Sequence, residues 1–352
     1  MENKVRKTRA AVLHKPFVVK MEERELDSLH SNEVLIKVMS VGVCGSDVHY
    51  YEKGKIGSKK VEKPLIQGHE CAGIVVEIGS EVTTLKIGDR VVIEPGISCG
   101  TCTDCKEGNY NLCSHVAFLS SPPIDGAFSE YIIHPENFLF KIPDNVTFEE
   151  ATLIEPLSVG LHGLSRSGMK ADSSVLISGM GPIGLTAIIA AKSFGALNII
   201  ATDIEPLRLK IAKELGATHV IDVSKQNLVE SVQELTNDRG VDVVVETSGQ
   251  EQAIKASVDI VKKGGNISVI GFSRLNNIGI NFYKLLQKEV SIHGVYRYTN
   301  TYQHGVDILG SKKFKTDLLL TDFYPLEKVQ EALEHARVNK SSSIKVIVKP
   351  ND

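Results

Sequence analysis

Four cysteines, Cys99, Cys102, Cys105 and Cys113, fall in one short stretch with the spacing C-x2-C-x2-C-x7-C. Short spacings of this kind let a loop wrap one ion, and a structural zinc site takes four tetrahedral ligands, often all thiolate. Gly96, Gly100 and Gly108 ease the wrapping. A redox-active pair fits poorly, because Cys99-Gly100-Thr101-Cys102 lacks a strand–helix setting. The spacing therefore predicts a structural metal lobe.

At 352 residues the chain exceeds one comfortable core, so two domains are expected. It is 42% hydrophobic and 24% charged, with a formal net charge of -3. That balance gives no footprint for nucleic acid or an acidic membrane as partner. The basic residues Lys4, Arg6, Lys7 and Arg9 precede only a short apolar run, broken at His14-Lys15-Pro16, which argues against a signal peptide. No stretch approaches the roughly 20 apolar residues of a membrane span. The expectation is a cytoplasmic protein, where six closely spaced cysteines serve as metal thiolates rather than disulfides.

The two halves differ in texture. Glu33–Val38, Gly73–Ile78 and Arg90–Ile93 are short β runs punctuated by Gly79-Ser80 and Gly88-Asp89 turns, which suggests a compact barrel or sandwich. The pattern changes near residue 155. Val175–Ile177, Asn198–Asp203, His219–Ile221, Val241–Glu246 and Asn266–Ile270 read as strands, with helices over Pro182–Phe194 and Leu207–Leu215. Nearly continuous apolar strands alternating with helices predict a parallel sheet covered on both faces. The tail reads as a helix over Pro325–Arg337 and a strand over Ile344–Val348, rejoining the first domain. The expected division is a first domain over 1–155, completed by 296–352, and a second over 156–295.

Gly179-Met180-Gly181-Pro182-Ile183-Gly184 follows an apolar strand and opens a helix, and Asp203 ends the next strand 19 residues past Gly184. In a dinucleotide site the first glycine permits the tight turn, the second lets backbone approach the pyrophosphate, and the third lets helix meet sheet. Free N–H groups at the helix start face the phosphates. Asp203 suits the adenine ribose hydroxyls and would repel a 2′-phosphate. No arginine follows it directly, since residue 204 is Ile204, which favours NAD over NADP. Arg208 is placed to flank the adenosine.

A second metal constellation combines Cys44, within Gly42–His49, and His69-Glu70, within Gly68–Gly73. Gly68-His69-Glu70-x-x-Gly73-x5-Gly79-x2-Val82 matches the zinc alcohol dehydrogenase signature at every fixed position. With both zinc patterns and the nucleotide motif, the whole chain resembles the medium-chain zinc-dependent dehydrogenases. That resemblance implies an α/β protein with a GroES-like β-rich catalytic domain and a Rossmann domain. Where alcohol-oxidising members place a further cysteine ligand, this sequence has Glu155, followed by Pro156. That is the pattern of the polyol (sorbitol dehydrogenase) group, and the likeness extends through Val48–Tyr51, Tyr110–Cys113 and Val295–Asn300.

The resemblance implies two zinc ions per subunit. One is structural, on Cys99, Cys102, Cys105 and Cys113. The other is catalytic, on Cys44, His69 and Glu70 plus water, with Glu155 gripping the water or replacing a ligand. Which glutamate touches metal stays open at this point. A carboxylate makes the ion harder and more receptive to two neighbouring substrate oxygens. Cys71 reads as a small buried residue. Arg297 and Tyr298 are expected in the polyol pocket, and Tyr50 and Phe118 are carried over as further lining. Beside the residues already named, Ile183, Ile270, Gly271, Val295 and Arg297 are expected to contact NAD. Zinc lowers the alcohol pKa, and hydride passes to the nicotinamide. Ser46 takes the hydroxyl proton, and His49, whose ordinary pKa near 6.5 suits a relay, passes it to solvent.

The implied activity is oxidation of a polyol such as sorbitol, L-iditol or xylitol to the ketose, by a homotetramer. Butanediol and threonine dehydrogenases also carry Glu-Pro at this place and remain rivals. Arg297 leans toward polyols because it donates several hydrogen bonds. A non-catalytic dinucleotide-binding protein or a zinc-free reductase would have lost Cys44, His69 or Glu70, and all three are present.

Overall fold

A computed structural model of the chain describes residues 6–351, so Lys4 lies outside the described residues. The chain divides into two compact units. One holds the residues up to Glu155, Tyr302–Lys312 and those from Leu320 on; the other holds Pro156–Thr301 and Lys313–Leu319.

The first unit is β-rich. Its larger sheet runs Leu139–Lys141, Arg90–Ile93, Glu70–Ile78, Glu33–Gly42, Lys345–Lys349 and Leu320–Pro325, with Tyr131–Pro135 also paired to Glu33–Gly42. The runs read from the sequence form here, and two extend beyond the reading: Glu33–Gly42 reaches past Val38, and Glu70–Ile78 starts before Gly73. Val34, Ile36, Val38, Val75, Val91, Ile93, Phe128, Val346 and Val348 share one buried cluster. The closing strand lies antiparallel to Glu33–Gly42, with Ile347 opposite Gly42, while Glu70 pairs Gly42 from the other side. Three strands thus bring residues distant in sequence to one point.

Two local features differ from the sequence reading. A helix, Gly45–Lys53, follows Cys44, which acts as its N-cap; Asp47 completes a capping box, and Gly54 ends the helix in a left-handed conformation. The tail helix is Val329–Val338, preceded by a single 3-10 turn, Leu326–Lys328, rather than one helix from Pro325. Leu320–Pro325 is a strand, so the backbone must turn before the helix can start.

The second unit is a six-stranded parallel sheet. Its order is His219–Asp222, Asn198–Asp203, Ser174–Ser178, Val241–Glu246, Val261–Val269, Ser291–Gly294. This is the doubly wound Rossmann arrangement, whose strand order reverses beside the first strand. The helix Pro182–Ser193 has proline in its first turn, and Gly195 follows it at φ 82°. A Cβ on Gly160 would sit 3.0 Å from the Ala187 backbone, so small residues set how closely the helices Ile154–Arg166 and Pro182–Ser193 approach.

Two ionisable side chains lie deep in the first unit. Glu94 is buried and accepts a hydrogen bond from the Tyr110 hydroxyl at 2.9 Å; burial outweighs that bond and raises its pKa to about 7. His134 is fully buried, and its Nε2 donates to the Glu94 carbonyl at 2.9 Å. Burial pushes its pKa down to about 4, against the bond to Glu94. A histidine depressed in the folded state takes up its proton more readily when unfolded. Its contribution is therefore complete above the ordinary pKa near 6.5 and is lost as pH falls toward about 4. His134→Gln keeps a donor and removes this titration. Urea titrations at pH 7 and pH 5 should show the wild type losing about 2 kcal/mol more than His134→Gln over that step. Equal losses would show that His134 does not carry the acid sensitivity.

Candidate active site

The turn after Glu33–Gly42 delivers Cys44, and the start of Glu70–Ile78 delivers His69 and Glu70. One donor atom from each of Cys44, His69 and Glu70 lies within 4.8 Å of the other two. Among the described residues Glu155 does not join this group. It is buried in the first turn of Ile154–Arg166, and its charge acts on Cys71 and Lys345. The geometry thus puts Glu70, rather than Glu155, with the sulfur and the imidazole.

Asp47 organises these ligands. It is completely buried. Its Oδ2 accepts from the Cys44 N–H at 3.0 Å; its Oδ1 accepts from the Gly68 N–H at 3.2 Å and the Ser120 hydroxyl at 2.8 Å. One carboxylate therefore ties together the two loops that carry the ligands. Oδ1 also faces His69 Nδ1 at 3.7 Å, which leaves Nε2 for a metal, the usual carboxylate–histidine–metal relay of orientation. Burial opposes charge on both partners. Even so, Asp47 and then Cys44 hold the imidazole pKa well above its usual range, and His69 with the surrounding donors keeps Asp47 below the carboxylate range. A ring set between a carboxylate and a sulfur is a place that suits a cation.

Lys345 is the second residue the sequence reading passed over. Its side chain is 1% exposed, and its ammonium pairs with Glu70 Oε2 while donating to the Val43 carbonyl at 3.2 Å. Burial works against its charge, but Glu70 and Cys44 outweigh it and raise its pKa. Cys71 sits behind the ligands; burial, then Glu70 and Glu155, push its thiol up, so it stays neutral as the sequence reading expects of a small buried residue.

The remaining expected residues divide by position. Phe118 comes to the ligands, its ring 5.6 Å from the His69 ring. Ser46 is half-buried and His49 exposed on the first turns of Gly45–Lys53. Tyr50 is buried in the core cluster of this unit. Cys99, Cys102, Cys105 and Cys113 gather their sulfurs, with Cys99–Cys105 at 3.9 Å, Cys102–Cys105 at 3.4 Å and Cys99–Cys113 at 3.5 Å. A tetrahedron of thiolates at about 2.3 Å from zinc has edges of about 3.8 Å, so the four fit a structural zinc. Donors from Thr101 and from the Cys102 N–H pull the Cys99 thiol down to about 5, toward the thiolate a metal needs.

The second unit holds the dinucleotide motif. Gly179 has φ 87°, and a Cβ there would sit 2.8 Å from Ser248 Cβ. Nothing lies within 4 Å of where a Cβ on Gly181 would be, an open cradle at the helix N-terminus suited to a pyrophosphate. A Cβ on Gly184 would strike the Gly179 carbonyl. Ile183 is half-buried in the same first turn. Asp203 Oδ2 accepts from the Met180 N–H at 2.6 Å, and Oδ1 accepts from the N–H groups of Ile204 and Glu205 at 2.7 and 2.9 Å. A carboxylate has about four lone-pair sites, so room for a ribose hydroxyl remains. Arg208, half-buried on the next helix, has no hydrogen-bond partner for its Nε among the described residues.

Ile270 and Gly271 both donate their N–H groups to the Glu246 carbonyl, and the Val295 N–H donates to Val269. Arg297 holds a left-handed φ of 56°, uncommon for a non-glycine residue, with its guanidinium 4.9 Å above the Tyr296 ring; Tyr298 beside it is buried.

Among the described residues no helix is long and apolar enough to cross a membrane. Residues 30–144 match the family described as alcohol dehydrogenase GroES-like domain, and 182–311 match zinc-binding dehydrogenase. The chain is 48% identical to a sorbitol dehydrogenase of Bacillus subtilis (strain 168) over 343 residues, covering 97% of each chain. An oxidoreductase/dehydrogenase of unknown specificity from Escherichia coli superimposes with a TM-score of 0.94 at 40% identity, covering 99% of this chain and 100% of that one. The 2R,3R-butanediol dehydrogenase of Bacillus subtilis does so with a TM-score of 0.89 at 32% identity, covering 98% and 100%. With the ligand geometry, the glycine turn and these likenesses in agreement, the chain belongs to the zinc-dependent medium-chain dehydrogenases.

Proposed function

We propose that this chain is an NAD-dependent polyol dehydrogenase, oxidising a sugar alcohol such as sorbitol, L-iditol or xylitol to its ketose. One observation carries the reading: a sulfur, an imidazole and a carboxylate converge within 4.8 Å, the imidazole and the carboxylate buried. When bound there, zinc supplies Lewis acidity toward a hydroxyl oxygen, and NAD supplies the carbon that accepts hydride. Carboxylate and imidazole donors suit a hydroxyl-rich substrate better than an all-thiolate set, which would make a softer ion.

The chain's own residues supply binding and proton handling. Cys44, His69 and Glu70 hold the catalytic zinc, and Phe118 shields His69 from water. Ser46 and His49 lie three apart on one helix, neighbouring positions on its surface, with Ser46 half-buried and His49 exposed. A proton leaving a substrate hydroxyl passes from Ser46 to His49 and out. Glu155 accepts a hydrogen bond from water or a second substrate hydroxyl. Arg297 and Tyr298 donate to further hydroxyls, which a butanediol lacks. The 48% identity to a sorbitol dehydrogenase against 32% to a butanediol dehydrogenase points the same way. Asp203 favours the free ribose of NAD over a 2′-phosphate, with Gly179, Gly181, Ile183 and Gly184 around the pyrophosphate.

The working form is a homotetramer in the cytoplasm. Ser291–Gly294 is an edge strand, and Phe272, Phe282, Tyr283, Leu286 and Ile292 are exposed on that strand and the segment before it. An open edge with large apolar side chains is what subunit association covers. The four cysteines of the structural site form no disulfides, which suits a reducing compartment.

Initial rates with NAD should be at least about tenfold higher in kcat/KM for sorbitol or xylitol than for 2,3-butanediol or threonine, a difference of about 1.4 kcal/mol in transition-state binding. The reverse order would move the assignment to the rival substrates. Light scattering should return the mass of four chains; a monomer would remove the oligomer from the proposal. Cys44→Ser should lower kcat by more than about 100-fold, beyond the loss of an outer-shell partner, while NAD still quenches or protects normally. Cys102→Ser should instead take the zinc content from two per chain to one and lower Tm by about 5 °C or more. Full activity in zinc-free Cys44→Ser, or an unchanged Tm in Cys102→Ser, would contradict these assignments.

A further inference from the structure

Lys345 opens the closing strand Lys345–Lys349, ahead of the apolar run Val346–Val348, and at 1% exposure it is shut off from water together with Glu70. The sheet explains how it gets there. Glu70 and Ile347 flank Gly42 on adjacent strands, and the lysine reaches across Gly42 to the glutamate. A Cβ on Gly42 would overlap Glu70 Oε2 and stand 2.7 Å from Lys345 Cε. Gly42 is absent from the positive-φ glycines, so what it contributes is room. The sequence leaves a gap at residue 42 that the ion pair fills.

The second contact of the ammonium is informative. It donates to the Val43 carbonyl, the peptide group leading into Cys44. One buried cation therefore grips the carboxylate of one ligand, Glu70, and the Val43 carbonyl just before another, Cys44. Glu70, Cys44 and Glu155 all favour its positive charge, against the cost of burial. Asp47, the remaining anion, is held by its own N–H and hydroxyl donors.

We propose that Lys345 is a positioning residue that holds one oxygen of Glu70 away from the metal, so that Glu70 binds zinc through its other oxygen and releases it more readily than an unrestrained carboxylate would. This inference rests on the assignment of Cys44, His69 and Glu70 as the catalytic zinc ligands. Removing the lysine frees the second oxygen of Glu70 and takes a positive charge from beside a divalent cation. Both changes tighten the hold on zinc.

The test is zinc release from the intact enzyme into excess chelator, followed by a metal-sensitive dye, for wild type, Lys345→Met and Lys345→Arg. Wild type should release zinc in two steps, one ion each. In Lys345→Met the catalytic step should slow by about tenfold or more, the scale on which outer partners of metal ligands act, and Lys345→Arg should recover most of the wild-type rate. An unchanged or faster catalytic step in folded Lys345→Met would overturn the inference. If Lys345→Met does not fold, Lys345→Met combined with Glu70→Gln removes both charges and should restore folding. Failure of that double variant to fold would show that the lysine serves only to pack the strand, and would equally overturn the inference. A wild type holding a single zinc would instead sink the underlying ligand assignment, which keeps the two failures apart.

Discussion

Burying charge without water is the constraint that organises the first unit. Asp47, Glu70 and Lys345 are each at most 1% exposed, and Glu155 is 6% exposed. An isolated charge in such a place is costly, and removing one partner of a buried pair is far more damaging than exchanging both for apolar groups. The fold answers with partners fixed by sheet register. The pairing of Gly42 with both Glu70 and Ile347 sets the reach of the lysine. The capping of Gly45–Lys53 by Cys44 and Asp47 sets the sulfur and the imidazole. Zinc completes a charge arrangement that the backbone has already imposed, so ligand geometry here follows from strand pairing more than from the ligands themselves.

Much of this was legible in sequence because the carriers were local. The parallel strands Asn198–Asp203 and Val241–Glu246 are largely buried and carry the apolar runs Ile199–Ala201 and Val243–Val245, and the sequence reading has their observed ends. Both cysteine-bearing motifs and the glycine turn depend on short spacings. The strand read as Asn266–Ile270 runs over Val261–Val269, and its start is hidden because Lys262-Lys263-Gly264-Gly265 breaks the apolar run. The register jumps there, from Val241 opposite Val261 to Val243 opposite Asn266, with Gly264 at φ 67°. A bulge of this kind leaves no period to detect.

Asp47 and Lys345 were harder for a different reason. Asp47 lies inside the motif around Cys44, and its spacing from Cys44 is that of a capping box, a signal that was available. Its bonds to Gly68 and Ser120 are long-range and have no local trace. Lys345 lies within the strand read as Ile344–Val348, with no local sign of a partner. Only the pairing of three strands, distant along the chain, turns it inward. A charged residue inside an apolar strand was the visible oddity, and its partner was not.

The structural lobe and the catalytic ligands are joined by a short piece of backbone. Gly96–Ile97 pairs antiparallel with Ala117–Phe118, and the cysteine loop is the connection between these two strands. Phe118, on the second of them, lies against His69. Tyr110, from within the loop, bonds buried Glu94 at the end of Arg90–Ile93. The loop is thus tied to the sheet at Glu94 and to the ribbon at both ends. Four thiolates on one ion shorten the free chain between the ribbon strands, and a shorter loop costs less entropy to close. The metal lobe thereby fixes the strand that lays Phe118 against His69.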